Sequence, residues 1–152
     1  MNSLLASNSS SVKGILLTGA VFCIISLAGI FLDVFAGIAL GGNLTELPQT
    51  ATDRFFQFRE SRLLGLYNLD LLNAINQFLL IPVYIALVIA HRKISLYKAI
   101  TAFLIFFTGS LVMMSNNTAL SMMDLSEKYF AAPDEAQKAL YAAAGEALLV
   151  RG

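Results

Sequence analysis

Two aspartates and six amides sit where long apolar runs begin or end: Asp33, Asn68, Asp70, Asn73, Asn76, Gln77, Asn116 and Asn117. Carboxylates in such places could bind a cation or carry a proton in a hydrated site. Amides there could equally hold helices together through hydrogen bonds. On a helical wheel Asp70, Asn73 and Gln77 share one face, with Asn76 slightly off it. Asp33 lies about 20 residues from Lys13, Asp70 about 21 from His91, and Asn117 about 19 from Lys98. At about 1.5 Å per residue all three fall near 30 Å from one membrane surface, at the edge of the hydrocarbon. Intramembrane carboxylates point to function when they lie deep, and these do not. The preferred reading is therefore structural, with interhelical hydrogen bonds of roughly 0.6 kcal/mol each fixing a bundle. A transporter of small solutes or protons using Asp33 and Asp70 is the alternative.

The elements that position these groups are apolar blocks. The chain is 57% hydrophobic and 13% charged, with a mean hydropathy of +0.72; an average soluble domain is about 25% charged. Residues 1–13, MNSLLASNSSSVK, read as a flexible tail. From Gly14 to Leu32 every residue is apolar, glycine or a small hydroxyl, close to the roughly 20 residues a span needs. The run exceeds a signal peptide's apolar region of about 7–15 residues, so a retained span over 14–36 is expected. A second span is expected over 66–90, where Pro82 is tolerated because neighbouring helices re-satisfy its freed carbonyl. A third is expected over 96–119. Between the first two, Pro48 fits the first turn of an interfacial helix carrying Phe55, Phe56 and Phe58 among balanced charges, with Gly65 as the bend after it. Beyond the third, Pro133-Asp134-Glu135 starts an external amphipathic helix over 133–150, with Ala136, Leu140, Ala144 and Leu148 on one face. The expected fold is all-α: a polytopic membrane helix bundle of three transmembrane helices with an interfacial and an external amphipathic helix, residues 14–152 forming one transmembrane domain.

Orientation follows from the basic residues. Arg92, Lys93 and Lys98 stand between the second and third spans without an acid, so that loop and the amino terminus are predicted cytoplasmic and the carboxyl end extracytoplasmic. A net charge of zero gives no footprint for nucleic acid. The single Cys23 cannot form an intrachain disulfide and is expected to be a small buried side chain. Met113, Met114, Met122 and Met123 could offer thioethers to a soft metal, but adjacent methionines point to different faces and commonly fill gaps; no metal or cofactor is expected. His91 has no second histidine to build a ligand set and reads as an interfacial anchor. Of three Asn-x-Ser/Thr patterns, at Asn8, Asn43 and Asn116, only Asn43 is usable for glycosylation, and only in a eukaryote. No GxSxG, HExxH or P-loop is present, and no enzyme is expected.

Two stretches are more specific. GLYNLDLLNAINQFLLIPVYIALVIAHRK, and NNTALSMMDLSEKYFAAPDEAQKALYAAAGEALL with Leu125, Ser126, Tyr129 and Ala144 to Ala147, resemble small prokaryotic membrane proteins classed as domain of unknown function 4386. The resemblance covers about nine-tenths of the chain. It implies a protein of the prokaryotic cytoplasmic membrane with about six spans and no assigned activity, of which this chain would be the incomplete amino-terminal half. Its polar groups would then be completed by carboxyl-terminal helices or by a second copy.

Overall fold

The computed structural model describes residues 2–39 and 48–150. The regular structure is all α-helical: α1 (Asn2–Ala39), α2 (Ala51–Glu60), α3 (Arg62–Tyr67), α4 (Leu71–Asn116), α5 (Ala119–Ala131) and α6 (Glu135–Leu149). No strand occurs among the described residues. Two helical stretches, Ser10–Ala39 and Leu71–Ala131, are long and apolar enough to cross a membrane. The chain divides into two compact units, Met1–Ala36 with Ile75–Val112, and Gly37–Ala74 with Met113–Gly152.

The first unit is built from α1 and most of α4. Only a narrow stripe of α1 is covered: Gly19 and Ser26 are buried, and Phe22, Gly29 and Asp33 partly so. Their spacings of three and four residues trace one helical face. Small residues on that face let backbones approach closely, as at membrane helix pairs. A Cβ at Gly19 would collide with the Ala86 side chain and come 3.3 Å from the Pro82 carbonyl. α4 is helical except at Ser95 (φ −160°, ψ 87°), an extended residue at which the chain folds back. Tyr84 and Phe106, equidistant in sequence from Ser95, stack at 3.6 Å between ring centroids with planes 8° apart. Further from the joint, Ser110 Oγ donates to Gln77 Oε1 at 3.0 Å. Pro82 sits within helical backbone.

The second unit packs α2 against α5, α6 and α3. Its core is Ala51, Phe55, Phe58 and Met122, flanked by the partly buried Leu66, Leu69, Leu125 and Leu148; burying a phenylalanine or methionine side chain fully contributes roughly 1.5–3 kcal/mol. Hydroxyl and carboxylate caps set the helix starts. Thr50 Oγ1 accepts from the Asp53 amide at 3.1 Å, Ser61 Oγ from Leu64 at 3.3 Å, and Asp134 Oδ1 from Gln137 at 2.8 Å. Asp70 joins α3 to α4 with φ 61°, a left-handed conformation that aspartate and asparagine adopt more readily than other side chains.

Several expectations change. Residues before Lys13 are helical from Asn2, continuous with α1, rather than a flexible tail. Leu66 belongs to α3, so the second apolar helix starts at Leu71, and the link before the third shrinks to Ser95. Pro48 precedes the cap residue instead of occupying the first turn of α2. Phe55 and Phe58 are core residues, not side chains laid on a lipid surface, because α5 and α6 offer them an apolar seat. Gly65 is no bend: it is buried within α3, where a Cβ would lie 2.6 Å from the Phe58 ring. On α6, Ala136, Leu140 and Ala144 are exposed, and the helix docks around Gly145. Cys23 is exposed. The Asn43 pattern lies outside the described residues.

Candidate functional site

The eight polar residues divide between the two units. Asp33, Asn76 and Gln77 belong to the first, and Asn68, Asp70, Asn73, Asn116 and Asn117 to the second. In the first unit Asn76 is buried opposite Gly29, where a Cβ would stand 3.6 Å from its Oδ1. That oxygen, like Ser26 Oγ, has no hydrogen-bond partner. Asp33 lies on the covered stripe of α1. Gln77 is engaged with Ser110 between the two arms of α4.

In the second unit the junction residues serve the backbone. Asn68 closes α3 through its amide to Leu64 O at 2.9 Å. Asn117 Nδ2 donates to Leu69 O at 2.9 Å while its Oδ1 accepts from the Ala119 amide at 3.2 Å. One amide thus ties the α3–α4 turn to the start of α5. Asp70 Oδ1 accepts from Asn73 Nδ2 at 3.0 Å, and the Asp70 side chain is exposed. A cavity of about 290 Å³ is lined by Asn68, Asp70, Asn116, Asn117, Met113 and Thr118. It holds a single carboxylate. Among the described residues no three His, Cys, Asp or Glu side chains converge.

Ser126 and Tyr129 of LSEKY, and Gly145 and Glu146 of AGEA, converge on α2. Ser126 Oγ donates to Phe55 O at 3.0 Å in the buried core, and the Tyr129 ring lies 5.3 Å from that of Phe55. Gly145 faces Ala51 and Phe55 so closely that a Cβ would stand 2.6 Å from Ala51 Cβ. Glu146 Oε1 accepts from the Ala51 amide at 2.7 Å, placing a carboxylate at the positive end of α2. None of these arrangements aligns a nucleophile with a base. They form a clasp around one short helix.

Several other charges are paired at the surface. Arg62 meets Glu127 at 2.9 Å, and Arg59 sits 4.6 Å over the Phe130 ring. Hydrogen bonds donated to Asp124 and Glu135 hold the Lys128 and Lys138 ammonium groups above their ordinary range. Burial lowers Arg54, whose Nε and Nη1 are enclosed without an acceptor.

Sequence reasoning overlooks Ser26, Ser110 and Glu146 as contact residues. A signal for the first exists in the three-and-four spacing of Gly19, Phe22, Ser26 and Gly29; nothing local marks Ser110, whose partner Gln77 is far away in sequence. Compared with protein-family models, curated proteins and solved structures, the chain matches none.

Proposed function

We propose that the chain is a non-enzymatic integral membrane protein, with α1 and the two arms of α4 crossing the bilayer as three spans and α2, α3, α5 and α6 forming an extracytoplasmic helical unit. Its partners are the bilayer and, for the polar groups at the ends of α4, further helices or a second copy of the chain. The observation that carries this reading is the inverted profile of α1. Gly19 and Ser26 face inward, whereas Leu17, Ile24, Phe31 and Phe35 are each about two-thirds exposed. Only 11% of the apolar window of α1, and 17% of that in the second stretch, is buried. The core helix of a soluble protein would be covered; these are apolar toward solvent, as a helix in hydrocarbon is. The stacked and hydrogen-bonded arms of α4 support counting them as two spans, with Ser95 at one membrane face. Arg92, Lys93 and Lys98 beside that joint support a cytoplasmic side for it.

Membership of the domain of unknown function 4386 family is part of the same proposal. It rests on the LSEKY and AGEA stretches, of which Ser126, Tyr129, Gly145 and Glu146 share a place around α2.

Cysteine labelling tests the topology. In a Cys23→Ser background, Ser95→Cys should be shielded from an impermeant thiol reagent in intact cells and Ala136→Cys should react. Labelling of both from outside would eliminate the three-span reading, and the reverse pattern would invert the orientation.

A further inference from the structure

Between the arms of α4, next to the Ser95 joint, lies an open groove of about 400 Å³. Its walls are Tyr84, Leu87 and Val88 on the first arm and Ala99 and Ala102 on the second. The alanines leave a furrow that the larger side chains opposite do not fill. At its end stand His91 and Lys98. His91 Nδ1–H donates to the Leu87 carbonyl at 2.9 Å, pinning the ring to the wall. Arg92 and Lys93 lie on the adjoining turn, and no acid occurs between Asp70 and Asp124. Arg92, Lys93 and Lys98 make none of the ion pairs found among the described residues.

An apolar trough ending in uncompensated cations is complementary to an amphiphile with an anionic head. We propose that this groove binds one anionic phospholipid of the cytoplasmic leaflet, its acyl chain against Leu87, Val88 and Ala102 and its phosphate at Lys98. Basic pockets between spans on this side of a membrane recognise such headgroups, and a cavity of this size lies within the common range for small-molecule sites, about 300–1,000 Å³. The inference rests on the membrane reading above.

The test uses the full chain purified in mild detergent and incubated with mixed micelles of phosphatidylglycerol and phosphatidylcholine in equal amounts. Lipid adducts are then counted by native mass spectrometry. Phosphatidylglycerol should be retained in preference. Lys98→Gln should weaken that retention about fivefold, the attraction of one lysine to an anionic surface, while Lys98→Arg should keep it. Lys93→Gln should leave it nearly unchanged, because Lys93 does not line the groove. Equal retention of the two lipids overturns the site, as does an equal loss with Lys93→Gln, which would mean general surface attraction. A dimer mass in place of the lipid adduct would assign the groove to a second copy and also overturn it. Alkaline carbonate extraction of cell membranes separates the two readings. Release of the chain into the supernatant defeats the membrane reading itself, whereas a retained chain without lipid preference defeats only the groove.

Discussion

Glu146 and Ala51 meet end to side: a carboxylate near the end of α6 receives the first amide of α2 at 2.7 Å. Thr50 already satisfies the Asp53 amide, so the two side chains take up two of the free donors of one helix start. Glu146→Ala should cost about 1–2 kcal/mol, and Glu146→Gln roughly half of that, since the hydrogen bond survives without the charge. Hydrogen exchange of the α2 amides reads this directly. Protection in Glu146→Ala equal to the parent would remove Glu146 from the account of α2.

Gly145 predicts a contrast with Gly109. A Cβ at Gly145 would press on Ala51 and, at 2.8 Å, on Phe55 Cζ; Gly145→Ala should destabilise by about 1–3 kcal/mol through overpacking. At Gly109 nothing lies within 4 Å, so Gly109→Ala should be neutral or stabilising by up to about 1 kcal/mol. Thermal unfolding in detergent separates the two. Partial recovery of Gly145→Ala by Ala51→Gly would locate the clash.

Arg54 is a cost the fold bears. Its Nε and Nη1 are buried without an acceptor, and an enclosed unsatisfied group costs about 1–3 kcal/mol. Arg54→Met keeps the length of the side chain and removes the unpaired donors. The variant should unfold at higher temperature or higher denaturant than the parent; a lower midpoint would mean that the guanidinium contributes binding energy the buried donors do not reveal.

Gln77 and Ser110 should be weakly coupled. A double-mutant cycle with Gln77→Ala and Ser110→Ala should give about 0.6 kcal/mol, the average for hydrogen bonds between membrane helices. Reversible unfolding in mixed micelles supplies the four energies. A coupling of zero would mean that the contact does not survive in lipid.

Helix content and the apolar blocks are legible in the sequence because they are properties of composition over tens of residues. One helix start is legible too: Pro133-Asp134-Glu135 marks that of α6, where Asp134 caps the Gln137 amide. What misleads is one-residue punctuation. Pro48 and Gly65 look like a helix start and a bend, yet Thr50 and Ser61 do that work through side-chain oxygens. Gly65 instead makes room for Phe58, a partner whose position only the folded chain supplies. On α6 the periodic alanine and leucine face is outcompeted by Gly145, because close approach to α2 is worth more than a weakly apolar stripe. The polar cluster is legible as a set of residues but not as a site, because whether Gln77 pairs with Ser110, or Asn117 with Leu69, depends on how distant segments return.

Ser95 has an implication for changes in chain length. Surface loops usually absorb insertions cheaply, but this hairpin has a single non-helical residue and so no slack to give. One residue added between Gln77 and Tyr84, or between Phe106 and Ser110, would turn the far part of that arm by about 100°. The stacked rings and the amide–hydroxyl pair could not then both be kept. Within α4, substitutions that preserve size should be accepted far more readily than any insertion or deletion, and the register of the two arms is inherited as a unit.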